Sequence, residues 1–261
     1  KITKINSALK YDIVRNIRNK LEEKDGIYRR NFKSFEDSKG NYEERFFNLC
    51  NLIGTPLSQN SLGDLKLSVK AEVHSINDPK IRGPNTNKKL SFHTDRCDVI
   101  GFLCLLPAKH GGENQIVNSS QIENTIKIER PELHNILCQN FPYKTHTIDE
   151  ANPLLFCEQP IFSWRDGFFA CSYLRILIDR ADQDPNCPSL SDIQREALDY
   201  MDSVCERKEL QTSFTLQRGD VLFLNNWTTL HRRTAFEDYE KPELKRHLLR
   251  IWLSMPNSRP L

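Results

Sequence analysis

The four residues Phe92-His93-Thr94-Asp95 carry more information about this chain than any other stretch of the same length. They predict a short strand, and because residues i and i+2 of a strand face the same side, His93 and Asp95 are expected to point together. Composition alone gives roughly 0.5 occurrences of His-x-Asp in such a chain, so the spacing needs support from elsewhere. His231 supplies that support, since two imidazoles and one carboxylate are the ligands of mononuclear iron sites with open coordination positions.

The rest of the chain predicts many short strands. Residues 99–106 are almost wholly apolar, which indicates a buried strand, and the glycine pair at 111–112 indicates a turn. The strand-like segment 219–224 ends shortly before His231, which is a plausible way to place this histidine at the mouth of a barrel. Further strands are expected at residues 65–76, 115–117, 154–163, 167–174 and 247–254.

Helical patterns precede and interrupt these strands. Apolar spacing predicts helices at 8–24 and 42–53. Ser120-x-x-Glu123 and Ser191-x-x-Gln194 are typical of capping boxes, and Pro131 is typical of a helix start. The second box opens an amphipathic helix. Its apolar face is expected to hold Ile193, Ala197, Leu198, Met201 and Val204.

This order of elements predicts a mainly β fold with added helices, namely a double-stranded β-helix of the jelly-roll or cupin-like kind. We expect one domain over residues 1–261, with an N-terminal helical part at about 1–53. A helical insertion is expected at about 118–215, between the two segments that carry the candidate metal ligands.

Composition limits the possible partners of the 261-residue chain. A net charge of +2 gives no reason to expect a nucleic acid or a membrane as partner, and no apolar run approaches the roughly 20 residues that span a bilayer. The chain shows no secretory leader pattern. Eight cysteines without a Cys-x-x-Cys pair favour reduced, structural thiols in a cytoplasmic protein. The oligomeric state is not predicted.

Two arginines on the last predicted strand are a second, independent signal. Arg246 and Arg250 share one face of an otherwise apolar strand, where burial is costly unless the arginines meet anions. A dicarboxylate would be such an anion, because arginine grips a carboxylate with two hydrogen bonds. The alternative is an edge strand with solvated arginines. Residues 77–89, rich in Pro, Gly, Asn and Lys, predict a loop that is either a lid over the site or a plain surface loop.

Taken together, four motifs resemble the taurine dioxygenase (TauD/TfdA-like) family of Fe(II)/2-oxoglutarate oxygenases over roughly residues 54–254. They are Phe92–Asp95, the glycine pair 111–112, Asn226 with Leu230-His231, and the segment 246–253. The resemblance implies that His93, Asp95 and His231 bind iron. It also implies that the cofactors are Fe(II), 2-oxoglutarate as cosubstrate, and O2.

The same resemblance assigns the anion-binding residues. Arg246 would bind the distal carboxylate of 2-oxoglutarate, and Arg250 would contact either the cosubstrate or an anionic group of the substrate. Asn114 stands where the family usually has Thr or Ser, but its amide can still donate a hydrogen bond to 2-oxoglutarate. Arg175, preferred over Arg165 and Arg96, could anchor a substrate carboxylate, although a solvated or ion-paired arginine is an equally good interpretation.

The implied reaction is hydroxylation of a small, carboxylate-bearing metabolite, such as an amino acid or a natural-product intermediate, with release of succinate and CO2. Asp95 argues against halogenation, since halogenating relatives lack this carboxylate. Desaturation or a related oxidation stays open. Two further classes stay open: an enzyme using the same ligands for Zn or Mn, which would not need Arg246, and a non-catalytic binding protein, which would be expected to have lost a ligand.

Overall fold

The computed structural model describes residues 7–31, 42–60, 62–71, 85–145 and 153–260, and the side chains from residue 11 onwards within these ranges. The strands are β1 (Ile27–Asn31), β2 (Thr55–Leu57), β3 (Leu67–Val69), β4 (Val99–Leu106), β5 (His110–Gly111), β6 (Asn114–Asn118), β7 (Asn140–Lys144), β8 (Phe156–Pro160), β9 (Phe162–Arg165), β10 (Phe168–Cys171), β11 (Gln211–Phe214), β12 (Asp220–Asn225), β13 (Thr229–Arg233), β14 (Phe236–Glu237) and β15 (His247–Ser254). The α-helices are α1 (Ser7–Glu23), α2 (Tyr42–Ile53), α3 (Ser119–Glu129), α4 (Pro131–Leu137), α5 (Arg175–Asp182) and α6 (Asp192–Cys205).

Two antiparallel sheets form the predicted double-sheet core. The larger has the order β1-β12-β4-β15-β2, with β3 also paired to β15, and the smaller has the order β11-β6-β13. One apolar cluster joins the inner faces of the two sheets, and it includes Ile100, Cys104, Ile116, Leu222, Leu224 and Leu248. The mainly β fold with added helices, predicted from the sequence, is therefore confirmed.

The large sheet is covered on its outer face as well. Helices α1 and α2 pack there through a second apolar cluster, which includes Leu21, Phe46, Ile53, Leu103, Phe223 and Ile251. Strands covered on both faces read as continuous apolar runs rather than alternating ones. This explains why residues 99–106 and 219–224 are so strongly apolar. Because β15 lies between β4 and the strands β2 and β3, Arg250 is not on a solvated edge strand, and Arg246, directly before β15, is also buried.

The segment between β6 and β11 forms its own apolar core. Helices α3 to α6 pack there with β7 to β10, and the buried members include Ile126, Leu137, Tyr143, Phe162, Tyr173 and Met201. The capping box of Ser191 and Gln194 opens α6 as predicted. Within the described ranges, no helix combines the length and apolar character that crossing a membrane requires. All eight cysteines are free thiols.

Four local predictions differ from the structure. Helix α3 is capped by Asn118, whose Oδ1 accepts from Gln121 N, so Ser120 lies inside the helix and not at its cap. Ile193, in the first turn of α6, is 42% exposed, whereas Ala197, Leu198, Met201 and Val204 on the same face are buried as predicted. Of the strand expected at 65–76, the described residues contain only β3, which is three residues long. Residues 72–76 of that predicted strand, and residues 77–84 of the predicted loop that follows it, lie outside the described residues. The fourth difference, at residues 92–95, concerns the site itself.

Candidate metal centre

Three side chains that the sequence singled out meet at one point between the sheets. His93, Asp95 and His231 each present a ligand atom, and these atoms all lie within 4.8 Å of one another. His231 Nε2 is 3.4 Å from Asp95 Oδ2, and the two imidazole ring centres are 4.6 Å apart. No other group of this kind occurs in the part of the chain that the structure describes. The donor set of two imidazoles and a carboxylate fits a divalent transition metal with open positions.

The His93 stretch is held by backbone pairing, although it is not the regular strand that we predicted. His93 and His231 exchange two backbone hydrogen bonds of 3.1 and 2.9 Å as an isolated bridge. The next residue then turns to a different partner: Thr94 N donates to Tyr173 O, and Tyr173 N donates to Thr94 Oγ1. The ladder with β13 ends after this one pair, because Asp95, the next residue whose N–H would face β13, donates to Asn226 Oδ1 instead.

Asn226 fixes the position of the carboxylate ligand. Its Oδ1 accepts a 2.9 Å hydrogen bond from Asp95 N, and its Nδ2 donates to Cys97 Sγ at 3.1 Å. Asn226 is fully buried, so both groups of its amide are used within the protein. Asp98 does not compete with Asp95 for the metal position, because its carboxylate accepts hydrogen bonds from Trp227 Nε1 and Met255 N.

Hydrogen bonding and electrostatics prepare these ligands for a cation. His93 Nδ1 donates to Ser91 O, which leaves Nε2 with a lone pair for a metal. Desolvation, and next the neighbouring His231, lower the pKa of His93 to about 4, so this imidazole is neutral at pH 7. Desolvation opposes the ionisation of Asp95, but His231 and Arg250 outweigh it and hold the pKa of Asp95 below its usual value.

The same cavity continues to a strongly cationic end, where Arg246 lies. Arg246 is 5% exposed, and its guanidinium makes no hydrogen bond or ion pair with the described residues. Burial lowers the pKa of Arg246 to about 10, opposed by Cys104 and Asp238, so it stays charged at pH 7. The amide Nδ2 of Asn114 lines the same cavity and is also buried without a partner among the described residues. Two donors without acceptors indicate the place of an anion.

The glycine pair makes room beside Arg246. Gly111 and Gly112 have φ of +71° and +72°, which L side chains rarely adopt. A Cβ on Gly111 would lie 2.4 Å from Ala235 O, and one on Gly112 would lie 3.6 Å from Arg246 Nε. The turn therefore lets the chain pass close to the cationic end of the cavity.

Sequence reasoning missed a second buried arginine at this end. Arg233 is 5% exposed and lines the cavity with Arg246. The guanidinium carbons of Arg233 and Arg246 lie 4.6 and 5.2 Å from the centre of the Phe236 ring. Alternation along β13 was the available signal, because Arg233 is two residues after His231 and residues i and i+2 share a strand face.

Arg250 lies nearer to the metal ligands. Its Nη1 is 3.8 Å from Asp95 Oδ1, and its Nε donates to Gln59 Oε1 at 2.8 Å. Gln59 in turn donates to the carbonyls of Leu65 and Arg250. Gln59 is thus a positioning residue for Arg250. No sequence pattern predicted this contact, because the two residues are 191 positions apart along the chain.

The three arginines considered as substrate anchors are not among the described residues that line this cavity. Arg175 donates to Asp179, Asp199 and Asp202 at 2.7, 2.8 and 3.1 Å, which corresponds to the ion-paired alternative. Arg96, next to Asp95, is exposed, and Arg165 is exposed on β9.

Comparisons with known proteins agree with this geometry. The chain is 32% identical over 213 residues to the FR-33289 synthase of Streptomyces rubellomurinus, with 79% of the chain and 62% of that protein covered. It spans roughly half the length of the curated relatives that it matches.

Two solved structures have a similar fold. One is asparagine oxygenase with Fe(II), 2S,3S-3-hydroxyasparagine and succinate, at a TM-score of 0.67 and 14% identity, covering 95% of this chain and 80% of the other. The second is the non-heme iron oxygenase OrfP with Fe and alpha-ketoglutaric acid, at a TM-score of 0.66 and 15% identity, covering 96% and 80%. A family model described as taurine catabolism dioxygenase TauD, TfdA family, matches residues 13–252. Because this match includes nearly the whole chain, the protein belongs to the TauD/TfdA family.

Proposed function

We propose that this protein is an Fe(II)- and 2-oxoglutarate-dependent dioxygenase that hydroxylates a small metabolite carrying a carboxylate. The observation that supports this most strongly is that one cavity holds a His–Asp–His cluster at one end and the guanidinium of Arg246, without a partner among the described residues, at the other. A binding protein without catalysis would need neither, and a Zn or Mn enzyme without 2-oxoglutarate would not need the buried arginine.

At the metal end, His93, Asp95 and His231 would hold the iron. When bound, Fe(II) and 2-oxoglutarate supply the oxidising power that converts substrate C–H, O2 and 2-oxoglutarate into substrate C–OH, succinate and CO2. Asn226 holds the backbone of Asp95, and Ser91 holds the ring of His93, so both ligands are oriented before the metal binds.

At the cationic end, Arg246 would bind the distal carboxylate of 2-oxoglutarate, and Asn114 Nδ2 would donate one hydrogen bond to the cosubstrate. Buried arginine is strongly stabilised by a carboxylate that matches its planar donors. Since Arg246 has no acceptor among the described residues, the carboxylate would satisfy donors that are otherwise unpaired.

The substrate class is inferred from Arg250. Its position beside Asp95, rather than beside Arg246, supports a role toward an anionic group of the substrate near the metal. Gln59 uses one guanidinium donor and leaves others available. The two structures with similar folds are named as complexes with hydroxylated asparagine and, in a further complex of OrfP, hydroxylated arginine, which are both amino acids with an α-carboxylate.

Anaerobic spectroscopy tests the cofactor assignment. We expect that adding Fe(II) and then 2-oxoglutarate produces a weak visible charge-transfer band, and that His231→Ala abolishes it. His110→Ala is the matched control, because His110 is exposed on β5 and should leave the band unchanged. Absence of the band in the wild-type protein would refute the proposal.

A metabolite screen tests the substrate class. Succinate release above the uncoupled background is measured for amino acids and other carboxylates, each beside its primary amide. We expect turnover of a carboxylate and at least tenfold less of the matching amide, since a hydrogen bond between charged groups contributes about 1.5–3 kcal/mol. Equal turnover of acid and amide would contradict an anionic anchor.

A further inference from the structure

The segment that leads into the first metal ligand runs beside β13 and is tied to it repeatedly. We call residues 86–93 the His93 segment. Leu90 N donates to Arg233 O at 3.0 Å, and Phe236 N donates to Asn87 O at 3.0 Å. His93 then pairs with His231. The position of the first ligand therefore depends on this row of contacts with β13 and the residues after it.

Arg233 contacts the His93 segment at two separate places. Its carbonyl accepts from Leu90, and its Nη2 donates to Thr86 O at 2.7 Å. The other terminal nitrogen, Nη1, donates to Thr234 O at 2.9 Å. A guanidinium has five donors, so these two bonds leave three for another acceptor. Arg233 is the side chain that joins the beginning of the His93 segment to the cavity wall.

The charges at this place are not balanced within the described residues. Arg233 and Arg246 both lie near the Phe236 ring, at 4.6 and 5.2 Å. The carboxylate near them is Asp238, whose Oδ1 accepts from the backbone N of Arg246 rather than from either guanidinium. Two buried guanidinium groups near the same ring repel each other, and an anion bound between them would offset this repulsion.

The other arginine of the pair Arg232-Arg233 is already neutralised. Arg232 donates to Glu206 with both terminal nitrogens, and its Nε donates to Gln115 Oε1. Its guanidinium lies 4.0 Å from the centre of the Phe92 ring. Arg232 therefore has a structural role with its own acceptors, whereas Arg233 has an incomplete set. This contrast between neighbours singles out Arg233.

We propose that Arg233 is a positioning residue that couples the binding of 2-oxoglutarate to the placement of the His93 segment. The distal carboxylate relieves the repulsion between the two guanidinium groups and draws Arg233 into a fixed geometry. Arg233 then holds Thr86, and through it the start of the segment that carries the first metal ligand. This inference rests on the proposed function, because it takes 2-oxoglutarate as the anion.

Two measurements on the anaerobic Fe(II)-loaded protein test the coupling. The first is the affinity for 2-oxoglutarate, from titration of the visible charge-transfer band. The second is hydrogen exchange of peptides that cover residues 86–93, with and without saturating 2-oxoglutarate. In the wild-type protein we expect 2-oxoglutarate to slow exchange in this segment. Arg218→Gln is the matched control, since Arg218 is exposed and outside the cavity lining.

Two variants separate the charge of Arg233 from its geometry. Arg233→Gln should weaken 2-oxoglutarate binding about tenfold or more and abolish the exchange response. Arg233→Lys keeps the charge but loses the planar donors, so its affinity should fall by less than about threefold while the exchange response is still lost. If Arg233→Gln does not fold, the lysine variant carries the test alone.

The possible outcomes are distinct. An unchanged affinity in Arg233→Gln, or a wild-type exchange response in Arg233→Lys, overturns the coupling and leaves the proposed function intact. A wild-type protein that binds no 2-oxoglutarate at all overturns the proposed function, and the coupling with it. Loss of the response in both variants, with Arg218→Gln unchanged, supports the role of Arg233.

Discussion

The two ends of the cavity differ in how their side chains are held. At one end, hydrogen bonds to the backbone place the metal ligands. At the other end, two buried arginines lie near one phenylalanine ring, and neither guanidinium binds a carboxylate of the described residues. The metal end is thus prepared by the fold, since His93 and Asp95 are oriented by Ser91 and Asn226. The cationic end keeps donors unsatisfied, which is costly in a buried site. The difference indicates that the metal end is preformed and that the cationic end is completed by its ligand.

The largest effect should come from removing charge at the metal end. Asp95→Asn keeps the size of the side chain but replaces a charged oxygen ligand with a neutral amide. We expect Fe(II) affinity to fall more than about 100-fold, because loss of even an outer partner of a ligand costs about 10–100-fold. Metal titration monitored by isothermal calorimetry measures this. Asp192→Asn, at an exposed position on α6, is the control and should bind Fe(II) like the wild-type protein. Retained Fe(II) affinity in Asp95→Asn would mean that the metal site is elsewhere.

Removal of charge at the cationic end should have a different signature. Arg246→Gln is expected to weaken 2-oxoglutarate binding about 100-fold, because two charge-assisted hydrogen bonds are lost at about 1.5–3 kcal/mol each, partly offset by solvent. Fe(II) affinity should stay within about threefold of wild type. Titration of the charge-transfer band and metal calorimetry on the same variant give both numbers. A parallel loss of Fe(II) affinity in the absence of 2-oxoglutarate would show that Arg246 is needed to form the metal site itself.

The positioning of a ligand can be tested apart from the ligand itself. Asn226→Ala removes the acceptor for Asp95 N and leaves the three ligand atoms in place. We expect Fe(II) affinity to fall about 10-fold, at the low end of the range for outer partners of metal ligands. The variant should also unfold at a lower temperature, since a buried amide and its bond to Cys97 are lost. Metal affinity measured well below the unfolding transition separates the two effects, and an unchanged affinity would mean that Tyr173 and His231 suffice to hold this stretch.

Local sequence patterns predicted the buried strands and helices of the molecule. Strand β15 and helix α2 were predicted with the bounds that the structure has, because burial on both faces or on one helical face leaves a clear apolar pattern. The side chains of His93, Asp95 and His231 were also expected to meet, and the structure brings them together.

Contacts between distant segments left no such pattern. The bridge at His93 is a single pair because Asp95 N donates to Asn226, which is 131 residues further along the chain. The sequence likewise did not predict the acceptors of Arg175 on α5 and α6, or the hydrogen bond between Gln59 and Arg250. Arg233 is a different case, since strand alternation from His231 already indicated its face. Long-range pairing limits such prediction more than local structure does.

The smallest effect should come from Asn114, the departure from the Thr or Ser usual in the family. Its Nδ2 is buried without an acceptor among the described residues, so it would donate one neutral hydrogen bond to 2-oxoglutarate. Such a bond contributes about 1 kcal/mol, and Asn114→Ala should therefore weaken 2-oxoglutarate binding about fivefold with Fe(II) affinity unchanged. Asn114→Thr restores a donor of the usual kind and should recover most of the loss. The control is Gln121→Ala, on the exposed face of α3. The nearer Gln115 is unsuitable, because it accepts a hydrogen bond from Arg232. If Asn114→Ala binds 2-oxoglutarate as tightly as wild type, the amide has no contact with it, and the cationic end depends on its arginines alone.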